Sequence, residues 1–230
     1  MRDFTEAEHE TWRQLFSRLA DCRERLAHPM FVRGLGALGI DGTRIPSLPA
    51  VNERLSALTG WRGVPVTGLE DAKSFFQLLA RREFPIGAFI RDARDLSYTP
   101  APDVFHDMYG HLPLFADLAY ADFNHRIGLA AEPFLDDPVQ LRRFERYYWF
   151  GLEFPLVETA AGRRIFGGGI LSSFGESAYA MTAEPEVLPF EVSAIRDQEY
   201  RIDIMQPRLF VLDAPDTLYE SLPAFEALLS

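Results

Sequence analysis

The sequence contains a single cysteine, Cys22, among its 230 residues. One cysteine cannot close a disulfide within the chain. Nor can it supply the several thiolates of a cysteine-ligated zinc site or iron–sulfur cluster. The sequence therefore excludes a disulfide scaffold and both kinds of thiolate metal centre. Any metal ion bound by this chain must be held by nitrogen and oxygen ligands.

Long apolar runs are also missing, and positive charge is in deficit. No stretch approaches the roughly 18 consecutive apolar residues of a transmembrane helix. The first ten residues, MRDFTEAEHE, lack the apolar centre of a signal peptide. The 23 Lys and Arg against 34 Asp and Glu give a net charge of −11, which repels nucleic-acid phosphates. We expect a cytoplasmic protein that binds neither nucleic acid nor membrane.

The composition is that of a globular protein, with 47% apolar and 25% charged residues. Apolar residues recur at helical spacing through much of the chain, whereas segments with strand character are few and short. The sequence shows no internal repeat and no linker. The expected fold class is mainly α: a single compact catalytic domain of packed helices with a few short β-strands, over residues 1–230.

Local signals predict the individual elements. Helices are expected after the capping box Thr5–Glu8, over about 50–59, after Gly68, and over about 114–131, 139–153, 172–181 and from Asp216. Strands are expected at 86–90, and at 200–204 paired with 209–212. A loop is expected at 34–39. The run Gly167–Gly169 is typical of a strand bulge or a close backbone approach.

Two of the five histidines lie together in the segment PDVFHDMYGHLP. His106 and His111 are five residues apart, which on a continuous α-helix separates their directions by about 140°. Gly110 and Pro113 are helix-terminating signals, so we expect the helix to end near Gly110. His111 would then lie on a loop, free to turn back toward His106. This spacing differs from the i, i+4 histidine pair of zincin proteases.

Glu153 is the candidate third ligand. In the segment YYWFGLEFPLVE it follows large apolar residues, among which an ionised carboxylate is costly unless a cation or metal pairs with it. Two imidazoles and one carboxylate form the facial triad of non-haem Fe(II) oxygenases. On spacing alone, a coincidental histidine pair and a glutamate on an exposed helix face remain the simpler interpretation.

Longer sequence segments around these residues favour the metal site over a coincidental arrangement. The segments PDVFHDMYGHLPLFADLAYADF, YYWFGLEFPLVE and GGGILSSFGES strongly resemble the pterin-dependent aromatic amino acid hydroxylases, in particular the short bacterial members that act on phenylalanine. The resemblance implies the fold of that family's catalytic domain, with its core at about 5–212 and neither a regulatory nor a tetramerisation domain. It also implies Fe(II) and a tetrahydropterin similar to tetrahydrobiopterin as cofactors.

The resemblance assigns roles by position. It implies that the catalytic and metal-binding residues are His106, His111 and Glu153. For the amino acid substrate it implies Arg91, Thr99, Trp149, Phe154 and Ser172. For the pterin it implies Gly68, Leu69, Phe75, Asp107 and Tyr148. Without it, Arg91 would be interpreted as half of a surface salt bridge and Trp149 as core.

Several details accompany these roles. The guanidinium of Arg91 suits the substrate carboxylate, and Glu176 is a candidate to orient it. Asp107 could hold a water molecule or the second nitrogen of a ligand histidine. The chain departs from the family at Glu70 and Ala72, where small or apolar groups are frequent, and at Pro85.

The implied reaction is hydroxylation of L-phenylalanine to L-tyrosine with O2, the pterin supplying two electrons. A sister activity on tryptophan, or at another ring carbon, stays open, because it depends on pocket size at Trp149 and Ile202. A zinc hydrolase is a more distant alternative, with Asp107 as the adjacent candidate for its general base. A non-catalytic amino acid or pterin binding protein is a third. No C-terminal heptad run is present, and we expect a monomer.

Overall fold

The computed structural model describes residues 1–68, 70–97, 99 and 101–229. The α-helices in these ranges are α1 Glu6–Arg18, α2 Pro29–Leu38, α3 Leu48–Thr59, α4 Ala72–Ala80, α5 Leu112–Phe115, α6 Leu118–Ala131, α7 Pro138–Tyr148, α8 Gly168–Leu171, α9 Phe174–Tyr179, α10 Val192–Ile195, α11 Pro215–Glu220 and α12 Leu222–Glu226. The π-helices are Cys22–Leu26, His106–His111 and Trp149–Glu153, and a 3₁₀ turn spans Glu132–Phe134. The mainly helical fold predicted from apolar periodicity is confirmed. No helix in the described part of the chain has both the length and the apolar character to cross a membrane.

Short strands form two small sheets. Their bounds are β1 Arg62–Val66, β2 Glu83–Gly87, β3 Pro155–Val157, β4 Arg164–Ile165, β5 Glu186–Pro189 and β6 Arg208–Leu212. β1 and β2 pair in parallel, whereas the second sheet has the order β4-β3-β6-β5. The strand expected at 86–90 begins earlier, at Glu83. Pro85 is compatible with it because β2 has a strand neighbour on one side only.

The strand expected at 200–204 is absent, and that prediction is wrong. This segment consists of bends, and β6 instead pairs in parallel with β3 and β5. The Gln206 side-chain amide donates to the carbonyl oxygens of Arg201 and Ile204, at 2.7 and 3.1 Å. A side chain therefore satisfies backbone groups that a strand would pair with its neighbour.

Glycines at 34–39 do not form the expected loop. Gly34 and Gly36 lie inside helix α2, and only Gly39, with φ of +66°, ends it. A Cβ atom on Gly34 would lie 1.8 Å from the carbonyl oxygen of Pro113. Glycine at this position therefore allows α2 to pack directly against α5, the helix that follows the two candidate histidines.

Several other helix boundaries differ from the predicted ones because side chains cap the helices locally. The capping box of Thr5 and Glu8 is present at the start of α1. The helix expected over 114–131 is split, because the Asp117 side chain caps a new helix by accepting from the backbone N–H groups of Ala119 and Tyr120. The last helix is likewise split into α11 and α12, and the glycine run begins the short helix α8 rather than a strand.

The core is continuous and rich in aromatic side chains. Its largest fully buried members are Trp12, Phe31, Trp61, Phe76, Phe105, Tyr109, Phe115, Tyr120, Phe123, Phe144, Tyr147 and Phe150. Burial of such side chains is worth about 1.5–3 kcal/mol each. Cys22 is also buried, and burial raises the pKa of its thiol to about 11. Apolar packing therefore holds together the framework on which the candidate ligands are fixed.

Candidate metal centre and active site

His106 and His111 lie on one uninterrupted helical segment, residues 104–115. The prediction that the helix stops near Gly110 is wrong, because residues His106–His111 form a π-turn. The Leu112 N–H donates to the carbonyl oxygen of Asp107, five residues earlier. This wider turn brings the directions of residues i and i+5 closer together than a regular α-helix does. Both imidazoles therefore project to the same side, with 3.1 Å between their Nε2 atoms. A Cβ on Gly110 would lie 2.7 Å from the Gly168 carbonyl oxygen, so close packing also accounts for this glycine.

A second π-turn carries Glu153. The helix predicted over 139–153 is confirmed as the continuous segment 138–153, and its last turn is the π-helix Trp149–Glu153. The Phe154 N–H closes this turn on the Trp149 carbonyl oxygen at 2.9 Å. Single π-turns occur frequently at functional sites. Here, one presents the two histidines and the other presents the carboxylate.

The three side chains converge on one point. The His111 Nε2 atom lies 3.1 Å from His106 Nε2 and 3.1 Å from Glu153 Oε2. His106 Nε2 and Glu153 Oε2 are 3.8 Å apart. Ligand atoms about 2.1 Å from a metal ion and at right angles to one another lie about 3 Å apart. The set therefore fits one face of a metal coordination sphere, and His106, His111 and Glu153 form a metal-binding site.

Ser172 fixes the tautomer of His106. The Ser172 hydroxyl donates to the Gly169 carbonyl oxygen at 3.2 Å, so it accepts from the Nδ1–H of His106 at 2.9 Å. The Nε2 lone pair of His106 is thereby left for a metal ion. Burial lowers the pKa of His106 to about 4, outweighing the opposite effect of Glu153. At neutral pH the imidazole is uncharged, as a metal ligand must be.

The glycine run lies directly against the ligands. A Cβ on Gly168 would be 2.4 Å from Cε1 of His111, and one on Gly169 would be 3.0 Å from Glu153 Oε2. On its other side, the His111 ring faces Phe84, with 4.9 Å between ring centroids. The close backbone approach predicted for this run is confirmed, since any side chain at Gly168 would displace His111.

Glu153 is largely buried, and opposing effects act on its pKa. Burial raises the pKa, whereas the electrostatic interaction and the hydrogen bond with His111 lower it, and the net direction is downward. The carboxylate is therefore ionised at neutral pH. It supplies the negative charge that balances a metal cation in a buried site.

Arg91 is buried and paired with Asp103. Its Nε and Nη2 atoms donate to the two carboxylate oxygens of Asp103, at 2.8 and 2.9 Å, and both side chains are almost inaccessible. Burial alone would raise the pKa of Asp103, but Arg91 holds it below its usual value. The prediction that Glu176 orients Arg91 is wrong, because Asp103 does so. The interpretation of Arg91 as half of a surface salt bridge is also wrong, because its salt bridge with Asp103 is buried.

Asp103 was not predicted as a site residue, although a recognisable local sequence pattern marks it. Its Oδ1 accepts from the backbone N–H of His106, three residues later, at 2.9 Å. An aspartate three residues before a helical N–H is the pattern of a helix N-cap. That pattern could have indicated Asp103 as the start of the ligand helix, but its pairing with Arg91 depends on the tertiary fold.

A cavity of about 210 Å³ adjoins the metal-binding residues. The sequence-predicted pterin residues in its wall are Gly68, Phe75, Asp107 and Tyr148, and Leu69 lies outside the described residues. The edge of Phe75 meets Tyr148 at 4.8 Å between ring centroids. Flat aromatic walls beside a metal site can hold a flat heterocycle.

Asp107 belongs to this wall but does not hold a ligand histidine. Its Oδ2 accepts from the backbone N–H of Gly87 at 2.7 Å, while Ser172 occupies Nδ1 of His106. The idea that Asp107 binds the second nitrogen of a ligand is therefore wrong. Burial raises the pKa of Asp107 well above its usual value.

The predicted substrate residues differ in their surroundings. Trp149 lies in the cavity wall, stacked between Phe154 and Tyr200 with centroid distances of 4.5 and 4.2 Å. Arg91, Thr99, Phe154 and Ser172 are not in that wall. Thr99 donates to the carbonyl oxygen of Ala101. Ile202, expected to limit pocket size, is 74% exposed and lies outside the wall, so that expectation is wrong for this structure.

A sequence model described as biopterin-dependent aromatic amino acid hydroxylase matches residues 1–230. The chain belongs to this family. The phenylalanine-4-hydroxylase of Pseudomonas aeruginosa is 39% identical to this hydroxylase over 218 residues, which cover 94% of this chain and 82% of the relative. The phenylalanine-4-hydroxylase of Bos taurus is 34% identical over 229 residues, which cover 98% of this chain and 50% of the bovine protein.

Solved structures agree with this hydroxylase in fold. Phenylalanine hydroxylase from Legionella pneumophila superposes with a TM-score of 0.93 at 36% identity, covering 100% of this chain and 92% of the other. The Chromobacterium violaceum phenylalanine hydroxylase with bound oxidized Fe(III) has a TM-score of 0.92 at 36% identity, covering 98% and 82% of the two chains. The catalytic-domain fold implied by the resemblance is confirmed.

Proposed function

We propose that this hydroxylase converts L-phenylalanine to L-tyrosine with O2, Fe(II) and a tetrahydropterin. The observation that carries the proposal is the convergence of His106, His111 and Glu153 beside an aromatic cavity. The names of the relatives supply the substrate: phenylalanine-4-hydroxylases at 39% and 40% identity. The Chromobacterium structure with bound Fe(III) supports iron as the metal.

The metal residues fit an iron ion by their chemistry and spacing. Two neutral imidazole nitrogens and one carboxylate oxygen on a single face are the donor set of non-haem iron enzymes. Iron and reduced pterin together supply the activation of O2 and the electrons for it. The protein holds the ligand atoms in place through the hydrogen bond from His106 to Ser172 and the packing of His111 between Phe84 and Gly168.

We assign the substrate residues as follows. Arg91 binds the carboxylate of the amino acid, since its guanidinium is already fixed by Asp103. Thr99 and Ser172 help to hold the amino acid backbone. Trp149 and Phe154 surround the aromatic ring and exclude water from it. These assignments rest on position in the sequence, supported by the hydrogen bond between Ser172 and the metal ligand His106.

We assign the pterin to the aromatic cavity. Phe75 stacks on the bicyclic ring, a contact worth roughly 1 kcal/mol beyond the buried area. Tyr148 and Gly68 border the same space. Leu69, outside the described residues, is assigned to the pterin by its position in the sequence alone. Asp107 faces the cavity with a carboxyl whose pKa is raised by burial, which suits a hydrogen bond with the pterin or with a bridging water.

Anaerobic reconstitution tests the function. Protein loaded with Fe(II) receives phenylalanine and tetrahydropterin, then O2, and tyrosine is measured by chromatography. We expect tyrosine only when all the components are present, and neither tyrosine nor iron binding in His106→Ala. Tyrosine formation at the wild-type rate by metal-free His106→Ala protein would contradict the proposal.

Competing functions give different results in the same experiment. A tryptophan hydroxylase would favour tryptophan when phenylalanine and tryptophan are supplied together. A zinc hydrolase would show metal-dependent hydrolysis without O2 or pterin consumption. A binding protein would take up ligands without consuming O2.

We further propose that the protein acts as a monomer in the cytoplasm. Light scattering coupled to size-exclusion chromatography tests the monomer. A mass near 26.1 kDa is the expected result, and a multiple of it would contradict the proposal.

A further inference from the structure

Besides Asp107 and the metal ligand Glu153, two further acidic side chains, Glu70 and Glu145, lie in the wall of the aromatic cavity, and no Lys or Arg is among the described residues of that wall. Glu145 precedes the metal ligand Glu153 by eight residues on one continuous helical segment, 138–153. At about 1.5 Å per residue, that separation is about 12 Å along the axis. Glu145 therefore lies about two helical turns from the metal ligand Glu153.

Glu70 is the second member of this pair. It lies two residues before helix α4, which carries Phe75, and it is partly exposed, as Glu145 is. The Glu145 side chain is 33% exposed, against 14% for the metal ligand Glu153 in the same wall. Glu145 therefore lies nearer to solvent than the metal ligand does. We call Glu70 and Glu145 the acidic rim.

We propose that the acidic rim selects the pterin by charge: it disfavours pterins whose side chain carries a phosphate or a carboxylate, so that the cosubstrate is a reduced pterin with an uncharged side chain. This inference rests on the proposed function, because it takes the aromatic cavity as the pterin site. Phe75 and both carboxylates of the acidic rim lie in the wall of the same cavity, so a negatively charged substituent on a pterin stacked there is exposed to their negative charges.

Nearby positive charges do not neutralise the two carboxylates of the acidic rim. Glu145 is 3.4 Å from Arg142, but Arg142 also lies 3.4 Å from Glu199 and donates to the Tyr200 hydroxyl at 3.0 Å. Arg142 is not in the cavity wall, so an entering ligand meets the carboxylate first. Glu70 has no salt bridge with the described residues.

Equilibrium binding to metal-free protein tests the proposal without relying on turnover. The two probes are 6-hydroxymethyl-7,8-dihydropterin and its phosphate monoester, which share the ring and differ in charge. We expect the wild type to bind the ester at least about tenfold more weakly at low salt. At about 0.5 M NaCl the difference should narrow, because screening shortens the range of exposed charges to a few ångströms.

Removing the charges should remove the discrimination. In the double variant Glu70→Gln/Glu145→Gln, we expect the ratio of the two dissociation constants to fall below about threefold at low salt. Glu53→Gln, an exposed residue of α3 outside the cavity wall, is the matched control and should keep the wild-type ratio. Circular dichroism confirms that the variants are folded.

Two outcomes would contradict the proposed role of the acidic rim. One is a wild type that binds both probes equally, and the other is a double variant that keeps the full ratio, which would show that the phosphate is rejected by size. A different result would contradict the proposed function itself: no tyrosine would form with any reduced pterin, whatever the ratio of the two dissociation constants.

Discussion

The Ser172 hydroxyl accepts the Nδ1–H of His106 at 2.9 Å while donating to the Gly169 carbonyl oxygen. One serine thus determines which nitrogen of a metal ligand is available. It also connects the ligand to the glycine run that contacts His111 and Glu153. The metal site is therefore held by a serine and by backbone, both from a segment about 60 residues downstream of the histidines in the sequence.

Loss of this serine should weaken metal binding. In Ser172→Ala, His106 loses the acceptor that fixes its tautomer, and we expect iron affinity to fall by about 10- to 100-fold. Competition with a chelator measures the change. Ser173→Ala is the neighbouring control, since Ser173 caps α9 and contacts no ligand. It should lower stability by about 1 kcal/mol and leave metal affinity unchanged. Equal metal affinity in both variants would contradict the role of Ser172.

The glycine facing His111 should not tolerate a methyl group. In Gly168→Ala the new Cβ would lie 2.4 Å from Cε1 of His111, so the ring must move and the three donor atoms separate. We expect a loss of at least about tenfold in iron affinity. The control is Gly36→Ala, where a Cβ meets nothing within 4 Å and the helix gains up to about 1 kcal/mol. Calorimetry of iron binding and urea unfolding separate the two effects. Unchanged iron binding in Gly168→Ala would show that the contact is not restrictive.

The Arg91–Asp103 pair should be strongly coupled to stability. Arg91→Ala leaves a buried carboxylate without its partner, and we expect a loss of about 3–5 kcal/mol in the free energy of unfolding. In Arg94→Ala, which breaks an exposed pair with Asp92, the loss should be at most about 1 kcal/mol. Urea denaturation measures both. Equal losses would mean that burial does not distinguish these pairs.

The same pair should determine substrate affinity. Arg91→Lys keeps the charge but loses the bidentate geometry. We expect a rise of about tenfold or more in KM for phenylalanine, with a smaller change in KM for the pterin. Steady-state kinetics with each substrate varied in turn test this. A rise confined to the KM for the pterin would indicate that Arg91 binds the pterin instead of phenylalanine.

Glu176 should make stability depend on pH. Burial raises its pKa to about 7, against a weaker opposite effect of the Gln206 backbone. A carboxyl with a raised pKa in the folded state favours folding fully below its unfolded pKa, and this advantage is lost as pH rises through about 7. Relative to Glu176→Gln, the wild type should lose about 1–3 kcal/mol between about pH 4.5 and 7.5. Urea unfolding of both proteins across this range measures it, and parallel curves would contradict the shift.

Residue types and local patterns were enough to predict the family and the metal ligands of this protein. A lone cysteine restricted the metal ligands to nitrogen and oxygen, the helical periodicity indicated a mainly α fold, and the strings around His106, His111 and Glu153 indicated the family. These inferences succeeded because they depend on residue type and on local pattern. The capping box at Thr5 and the end of α3 at Gly60 succeeded for the same reason.

How those residues contact one another depends on the packing of distant segments. Gly110 carries a helix-stop signal, yet the helix continues because packing against Gly168 requires a glycine there and a π-turn absorbs the extra residue. The partner of Arg91 proved to be Asp103 rather than Glu176, because burial of a charge is compensated by whichever opposite charge the fold brings within hydrogen-bond distance. Residue type is local, but turn register and charge pairing are settled by contacts between distant segments.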